Sequence, residues 1–258
     1  MMKIENCIGY AMLVIMLAAS AGVAETAKEG DLPSADELLA AIDQNLQFDT
    51  RKATTVMQVI DARRTREFRM LAYGRGQDEA AVEYLAPVRD RGTKMLKQGD
   101  NLWLYMPRAE RVQRISGHML RQGMMGSDVS YEDMMEGAEF AEMYDAVVKG
   151  SEEVEDRPCW RMEAAARDDS VTYPKRIIWV DKELMVPVRQ ELYALSGMLL
   201  KTWTMTEIEQ IDGRNVPTRM EIADQWRKGS KTVLKMSDIS FGIEIEDEIF
   251  SLRWLERR

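Results

Sequence analysis

From residue 50 onward apolar and polar positions alternate with a period of two. The windows 53–61, 67–73, 79–86, 93–98 and 102–106 show it first, and 142–150, 158–165, 176–180, 188–194, 199–208, 216–226 and 232–239 follow. A period of two puts alternate side chains on opposite faces of a strand, so each window predicts a half-buried β-strand. Gly74-Arg75-Gly76, Pro87, Gly99, Asp212-Gly213 and Lys228-Gly229 separate the windows and supply turn residues. In 199–208 Leu199, Lys201, Trp203 and Met205 alternate with Leu200, Thr202, Thr204 and Thr206; in 216–226 Met220, Ile222 and Trp226 alternate with Arg219, Glu221 and Gln225. One face of each strand is apolar and the other solvated, the pattern of a sheet curled around an apolar interior. No helix long enough for parallel crossovers intervenes, so the expected topology is an antiparallel meander of about a dozen strands in a single domain.

Two stretches break the alternation. Ser34-x-x-Glu37 reads as a capping box, and Leu38, Leu39, Ile42 and Leu46 repeat at helical spacing, which predicts an amphipathic helix over 34–47. After the hairpin around Gly99-Asp100-Asn101 comes an unusually apolar connection, with His118, Met119, Leu120, Met124 and Met125 set among Gly117, Gly123 and Gly126. Ser130-Tyr131-Glu132-Asp133 then forms a second capping box and predicts a short helix over 131–137. A strand pair therefore leads into a methionine-rich flap.

Trp103-x-Tyr105-x-Pro107, Arg114-Ile115-Ser116 and Met125-Gly126-Ser127-Asp128-x-Ser130-Tyr131-x-Asp133 resemble the signature of the outer-membrane lipoprotein-sorting proteins, the LolA-like group. Weaker similarity continues through Tyr173-Pro174-Lys175, Trp179-Val180-Asp181, Gly197-Met198-Leu199-x-Lys201 and Phe250-x-Leu252. Met124 and Val129 stand where the family has aromatic residues, and Met134 where it has leucine. The resemblance implies a mainly β fold: an antiparallel half-open β-barrel whose open side is covered by the N-terminal helix and the helical flap, over an apolar cavity. No arginine of this sequence matches the one that poises cargo release in that family, so none is assigned the role.

Residues 1–24 read as a secretory signal: Lys3, an apolar run over 8–19, and Gly22-Val23-Ala24 as small residues at a cleavage site. The competing reading is an uncleaved anchor, for which the span is long enough. Cleavage leaves residues 25–258 as one domain with Cys159 as its only cysteine, which excludes a disulfide framework. The net charge of -9, with no long basic run, argues against nucleic acid and against anionic membrane surfaces as partners.

The single histidine, His118, limits Ser-His and Cys-His catalysis and excludes zinc sites needing two imidazoles. A lone loop histidine is usually solvated, and Cys159 inside a strand reads as a small buried hydrophobe. Asp128, Ser130, Glu132 and Glu139 match ligand positions of a calcium loop, but Asp133 stands where that loop needs glycine. No cofactor and no metal is therefore expected.

What remains is soft and apolar. Twenty methionines is a high count for this length, and methionine adapts to ligands of variable shape. Met57, Met162 and Met220 fit an ordinary core; Met119, Met124, Met125, Met134 and Met135 would be exposed without a partner. The expected lipid-binding set is Met95, Trp103, Met119, Leu120, Met124, Met125 and Met134, with Trp103 facing inward and Tyr105 outward. The expected lid motif is Arg114, Gly126, Ser127, Asp128, Tyr131 and Asp133, with an Arg114–Asp128 ion pair as tether. Together these predict a monomeric periplasmic carrier, not an enzyme, for lipid or lipoprotein acyl chains, passing cargo from an inner-membrane exporter towards the outer membrane. The alternative is an envelope sensor of the same fold acting through an inner-membrane protein partner.

Overall fold

The computed structural model describes residues 32–136, 139–169 and 171–257. The signal reading over 1–24 lies outside them. Thirteen antiparallel strands form one sheet in the order β6-β5-β4-β3-β2-β1-β13-β12-β11-β10-β9-β8-β7. They are β1 Thr50–Ile60, β2 Thr65–Arg75, β3 Glu79–Ala86, β4 Lys94–Gln98, β5 Asn101–Met106, β6 Arg111–Ile115, β7 Tyr144–Val154, β8 Arg157–Ala166, β9 Lys175–Asp181, β10 Pro187–Tyr193, β11 Leu199–Ile211, β12 Arg214–Asp224 and β13 Lys231–Phe241. Every sequence-adjacent pair except β6 and β7 is hydrogen-bonded, and the first and last strands meet, Met57 opposite Leu234.

The sheet therefore has two edges, β6 and β7, and the chain between them is the flap. β6 escaped the alternation reading because Arg111-Val112-Gln113-Arg114-Ile115 is mostly polar, as suits a strand paired on one side only. The flap folds as a 3₁₀ turn over Gly117–Arg121, a second over Met124–Gly126, helix α2 Tyr131–Met135 and helix α3 Phe140–Met143. The capping box of α2 forms as its sequence predicts: Ser130 Oγ accepts from Asp133 N at 3.2 Å and Asp133 Oδ2 from Ser130 N at 2.7 Å.

Helix α1, Ala35–Leu46, lies over one half of the inner face. Its Leu38, Leu39 and Ile42 pack with Phe140, Tyr144, Met162, Ile178 and Val180, all buried. The flap covers the other half, above Met57, Phe68, Met70, Tyr84, Met95, Leu102 and Leu104.

A covering that the sequence pattern did not predict lies on the outside. Phe250, Trp254 and Leu255, from a 3₁₀ turn over Asp247–Phe250 and helix α4 Leu252–Glu256, pack on Ala81, Leu96 and Tyr105. Trp103 packs in this outer cluster too. This corrects its inward assignment: residues two apart share a face of a strand, so Trp103 goes with Tyr105 while Leu102 and Leu104 face the flap.

Candidate functional site

Met119, Leu120, Met124, Met125, Met134 and Met135 all turn inward and pack on the sheet face that carries Met95. Except for Trp103, the expected acyl-binding residues are thus brought together. They form a plug: the flap's own side chains occupy the apolar interior beneath it. Long, unbranched methionines suit this task, because they fill an irregular space and repack at little cost.

The turn that aims Met124 and Met125 inward depends on its glycines. A Cβ on Gly123 would lie 2.0 Å from the Ser127 carbonyl oxygen, so no other residue fits. Met125 takes φ 50° and Gly126 φ 68°, left-handed values that tighten the loop.

Polar contacts along the rim of the plug fasten it to the sheet. Arg66 of β2 donates to the carbonyls of Met125 at 2.6 Å and Gly126 at 2.9 Å. Arg227 donates to the Gly126 carbonyl at 2.8 Å and to that of Ser127. Asp128, buried, accepts from Ser230 Oγ at 2.8 Å and from Thr232 Oγ1 at 2.7 Å, with Arg227 3.6 Å away. The expected Arg114–Asp128 tether is not formed: Arg114 is exposed on the edge strand and bonds Asn101 instead. Ser127 is fully buried and closes its own turn, its hydroxyl donating to the Val129 carbonyl at 3.1 Å.

Beyond the plug runs a buried charged network. Lys201 Nζ donates to Asp133 Oδ2 at 2.5 Å and Ser130 Oγ at 3.2 Å, and Tyr173 donates its hydroxyl proton to the other Asp133 oxygen. Burial, reinforced by the Asp133 charge, pushes the Tyr173 hydroxyl pKa up. Arg176 is fully buried, ion-paired with Glu136, and donates to Tyr144 Oη at 2.6 Å and Gln190 Oε1 at 3.1 Å. Burial opposes its charge, but Glu136 and Tyr144 outweigh that and raise its pKa. The rings of Phe140, Tyr144 and Tyr173 surround the guanidinium at 5.1 to 5.3 Å.

Each pair joins a lid carboxylate to a cation of the sheet, Asp133 to Lys201 of β11 and Glu136 to Arg176 of β9, and removing one partner of such a buried pair costs about 3–5 kcal/mol. These contacts were illegible as charges scattered along the chain. What the sequence did mark was Ser130 and Asp133, as a capping box, and Lys201, as a charged residue on the apolar face of its strand.

Clefts flank the plug at both ends of the sheet. One of about 1080 Å³ is lined by Asp43, Phe48, Asp78, Glu142 and Arg214. Another of about 480 Å³, between the lid and the strand turns, is lined by Arg121, Ser130, Glu132, Tyr173, Lys201 and Trp226. His118 is exposed on the flap. Burial pushes the Cys159 thiol up to about 11, and its Sγ donates to the Arg157 carbonyl at 3.3 Å. Among the described residues no cluster of three or more His, Cys, Asp or Glu side chains has metal-site geometry.

A family model described as an uncharacterized protein matches residues 76–257, well over half of the chain. A LolA superfamily protein from Nitrosomonas europaea superposes with a TM-score of 0.71 at 26% identity, covering 86% of this chain and 100% of that one. The chain belongs to the family of that model, and its fold is LolA-like. An outer-membrane lipoprotein-sorting protein domain from Vibrio parahaemolyticus matches this LolA-like chain with a TM-score of 0.74 at 25% identity, over 85% of this chain and 97% of that one. A DUF1329 family protein from Desulfovibrio piger matches with a TM-score of 0.78 at 25% identity over the same shares. No curated protein matches the sequence.

Proposed function

We propose that this LolA-like protein is a periplasmic carrier that shelters lipid or lipoprotein acyl chains on the inner face of its sheet, beneath a lid that lifts to admit them. The observation that carries this reading is the plug itself. Six apolar lid side chains, five of methionine, fill the inner face, while polar contacts to either side of them hold the lid down. An acyl chain replaces the methionines at little cost in packing and contributes about 0.8 kcal/mol per CH₂ buried. The sorting role in the name of the Vibrio structure agrees with such cargo. Asp128, Tyr131 and Asp133 serve as lid fasteners in this reading, and Met95 as the floor.

Native mass spectrometry of protein purified gently from a bacterial periplasm tests the proposal, with solvent extraction of whatever travels with it. The expected result is a discrete lipid mass that disappears when Met124 and Met125 are both replaced by Asp. A clean apo mass, with no uptake of added lipid or lipoprotein, would overturn it and favour a protein-binding module.

A further inference from the structure

Overall acidity argued against a membrane partner, yet the fold distributes its charge unevenly. In an antiparallel meander alternate turns fall at opposite ends of the sheet. At one end the turns 76–78, 99–100, 155–156, 182–186 and 212–213 carry Asp78, Asp100, Glu155, Asp156, Glu183 and Asp212 against a single lysine, Lys182. At the other end four turns lie side by side in the strand order: β3–β4, β1–β2, β12–β13 and β10–β11. The first three expose Arg89 and Arg91, Arg63 and Arg64, and Lys228. The carboxylates in these stretches are engaged locally: Asp61 is turned back into its own loop, accepting from the N–H groups of Arg63 at 2.9 Å and Arg64 at 3.1 Å, Asp90 lies 3.8 Å from Arg89, and Asp224 accepts from the Trp226 N–H at 2.8 Å.

Three of the same four turns hold exposed apolar tips. Of six large hydrophobic side chains exposed among the described residues, four are here: Val88 at 78%, Leu195 at 86%, Met198 at 45% and Trp226 at 71%. Trp226 was expected on the apolar face of its strand; β12 ends at Asp224, and the indole stands out from the turn instead. Gln225 N donates to the Leu200 carbonyl at 2.8 Å, which sets the Trp226 turn beside the Leu195–Met198 turn. The second cleft, with Trp226 at its lip, opens between the lid and these turns.

We propose that this rim is a docking surface for an anionic phospholipid bilayer. Arginine and lysine meet the headgroup phosphates, while Trp226, Leu195, Met198 and Val88 sit at the boundary between headgroups and acyl chains. The acidic end is held away from the surface, so the protein stands upright with the lid-side cleft at the lipid. Docking of this kind goes beyond acyl carriage and does not require it.

The test uses the full chain with Cys7→Ser, carrying an environment-sensitive fluorophore either on Ser196→Cys in the apolar turn or on Asp212→Cys at the opposite end. Vesicles containing phosphatidylglycerol are expected to shift the emission at position 196 to the blue and to protect it from iodide, with position 212 unchanged. Pure phosphatidylcholine vesicles should do neither. Arg63→Glu, Arg64→Glu and Lys228→Glu together should weaken the vesicle affinity read at position 196 by about a hundred-fold, since each basic residue near the surface contributes several-fold. A position 196 that stays water-like on anionic vesicles, or equal shifts at both positions, overturns the proposal; the first outcome leaves an acidic protein as the better partner. Uptake of an acyl probe by the same labelled protein separates this failure from failure of the carrier reading.

Discussion

Gly123 and Cys159 show how a single position records its surroundings. Replacing Gly123 with Ala would drive a methyl group onto the Ser127 carbonyl, 2.0 Å away, so the turn must open. Gly123→Ala is expected to destabilise the protein by about 1–3 kcal/mol, the range for forcing an extra methyl into a packed site, read as a lower urea midpoint. Cys159, fully buried with a thiol raised to about 11, should resist alkylation at pH 8 in the folded protein and react once denaturant is added; labelling of the folded Cys7→Ser protein would contradict that placement. Asp181 behaves oppositely. Burial raises its pKa, but donation from the Leu184 N–H, the Arg157 guanidinium and the Glu183 N–H outweighs burial and holds it below 3.8. Its ionised form is favoured in the fold, so its contribution is present above the ordinary carboxylate pKa and is lost as pH falls through the folded value. Asp181→Asn should therefore flatten the acid limb of a stability–pH curve below about pH 4. At this scale the sequence was legible where one rule decides, as in the Ser130–Asp133 cap and the burial of Cys159. It misled at Trp103, where the period-two rule was applied with the wrong parity.

Among the elements, the strands were legible because alternation is a local signal. The lid's fastening was not, because each fastener lies far along the chain from its partner. Arg66 is about sixty residues from the carbonyls it holds, and Arg227 about a hundred. Each makes charge-assisted hydrogen bonds worth about 1.5–3 kcal/mol. The pair Arg66→Ala and Arg227→Ala should raise hydrogen exchange over 117–130 by ten-fold or more while leaving β9 and β10 protected. Equal exchange in that segment would mean that the arginines do not hold the lid. The outer covering escaped because its five-residue helix is too short for a periodic signal. Trp254 is nonetheless 7% exposed, and Lys94 Nζ donates to its carbonyl at 3.0 Å. Trp254→Ala is expected to cost about 3–5 kcal/mol, measured by chemical denaturation.

At the scale of the molecule, joining β1 to β13 converts two runs of hairpins into one curved sheet, and the sheet's missing closure is the β6–β7 gap crossed by the lid. The antiparallel meander followed from turn spacing and alternation, and the half-open barrel from the resemblance to the LolA-like group. The gathering of basic and apolar turns at one end did not, because it depends on which turns the strand order sets side by side. The lid is central to the account, so locking it is the most direct test. Asp128 and Thr232 touch across the lid–sheet boundary, and Asp128→Cys with Thr232→Cys, in a background lacking the other cysteines, places a removable bond there. Binding of a fluorescent fatty-acyl probe should be abolished in the oxidised protein and restored on reduction. Equal binding in both states would contradict a cargo site beneath the lid.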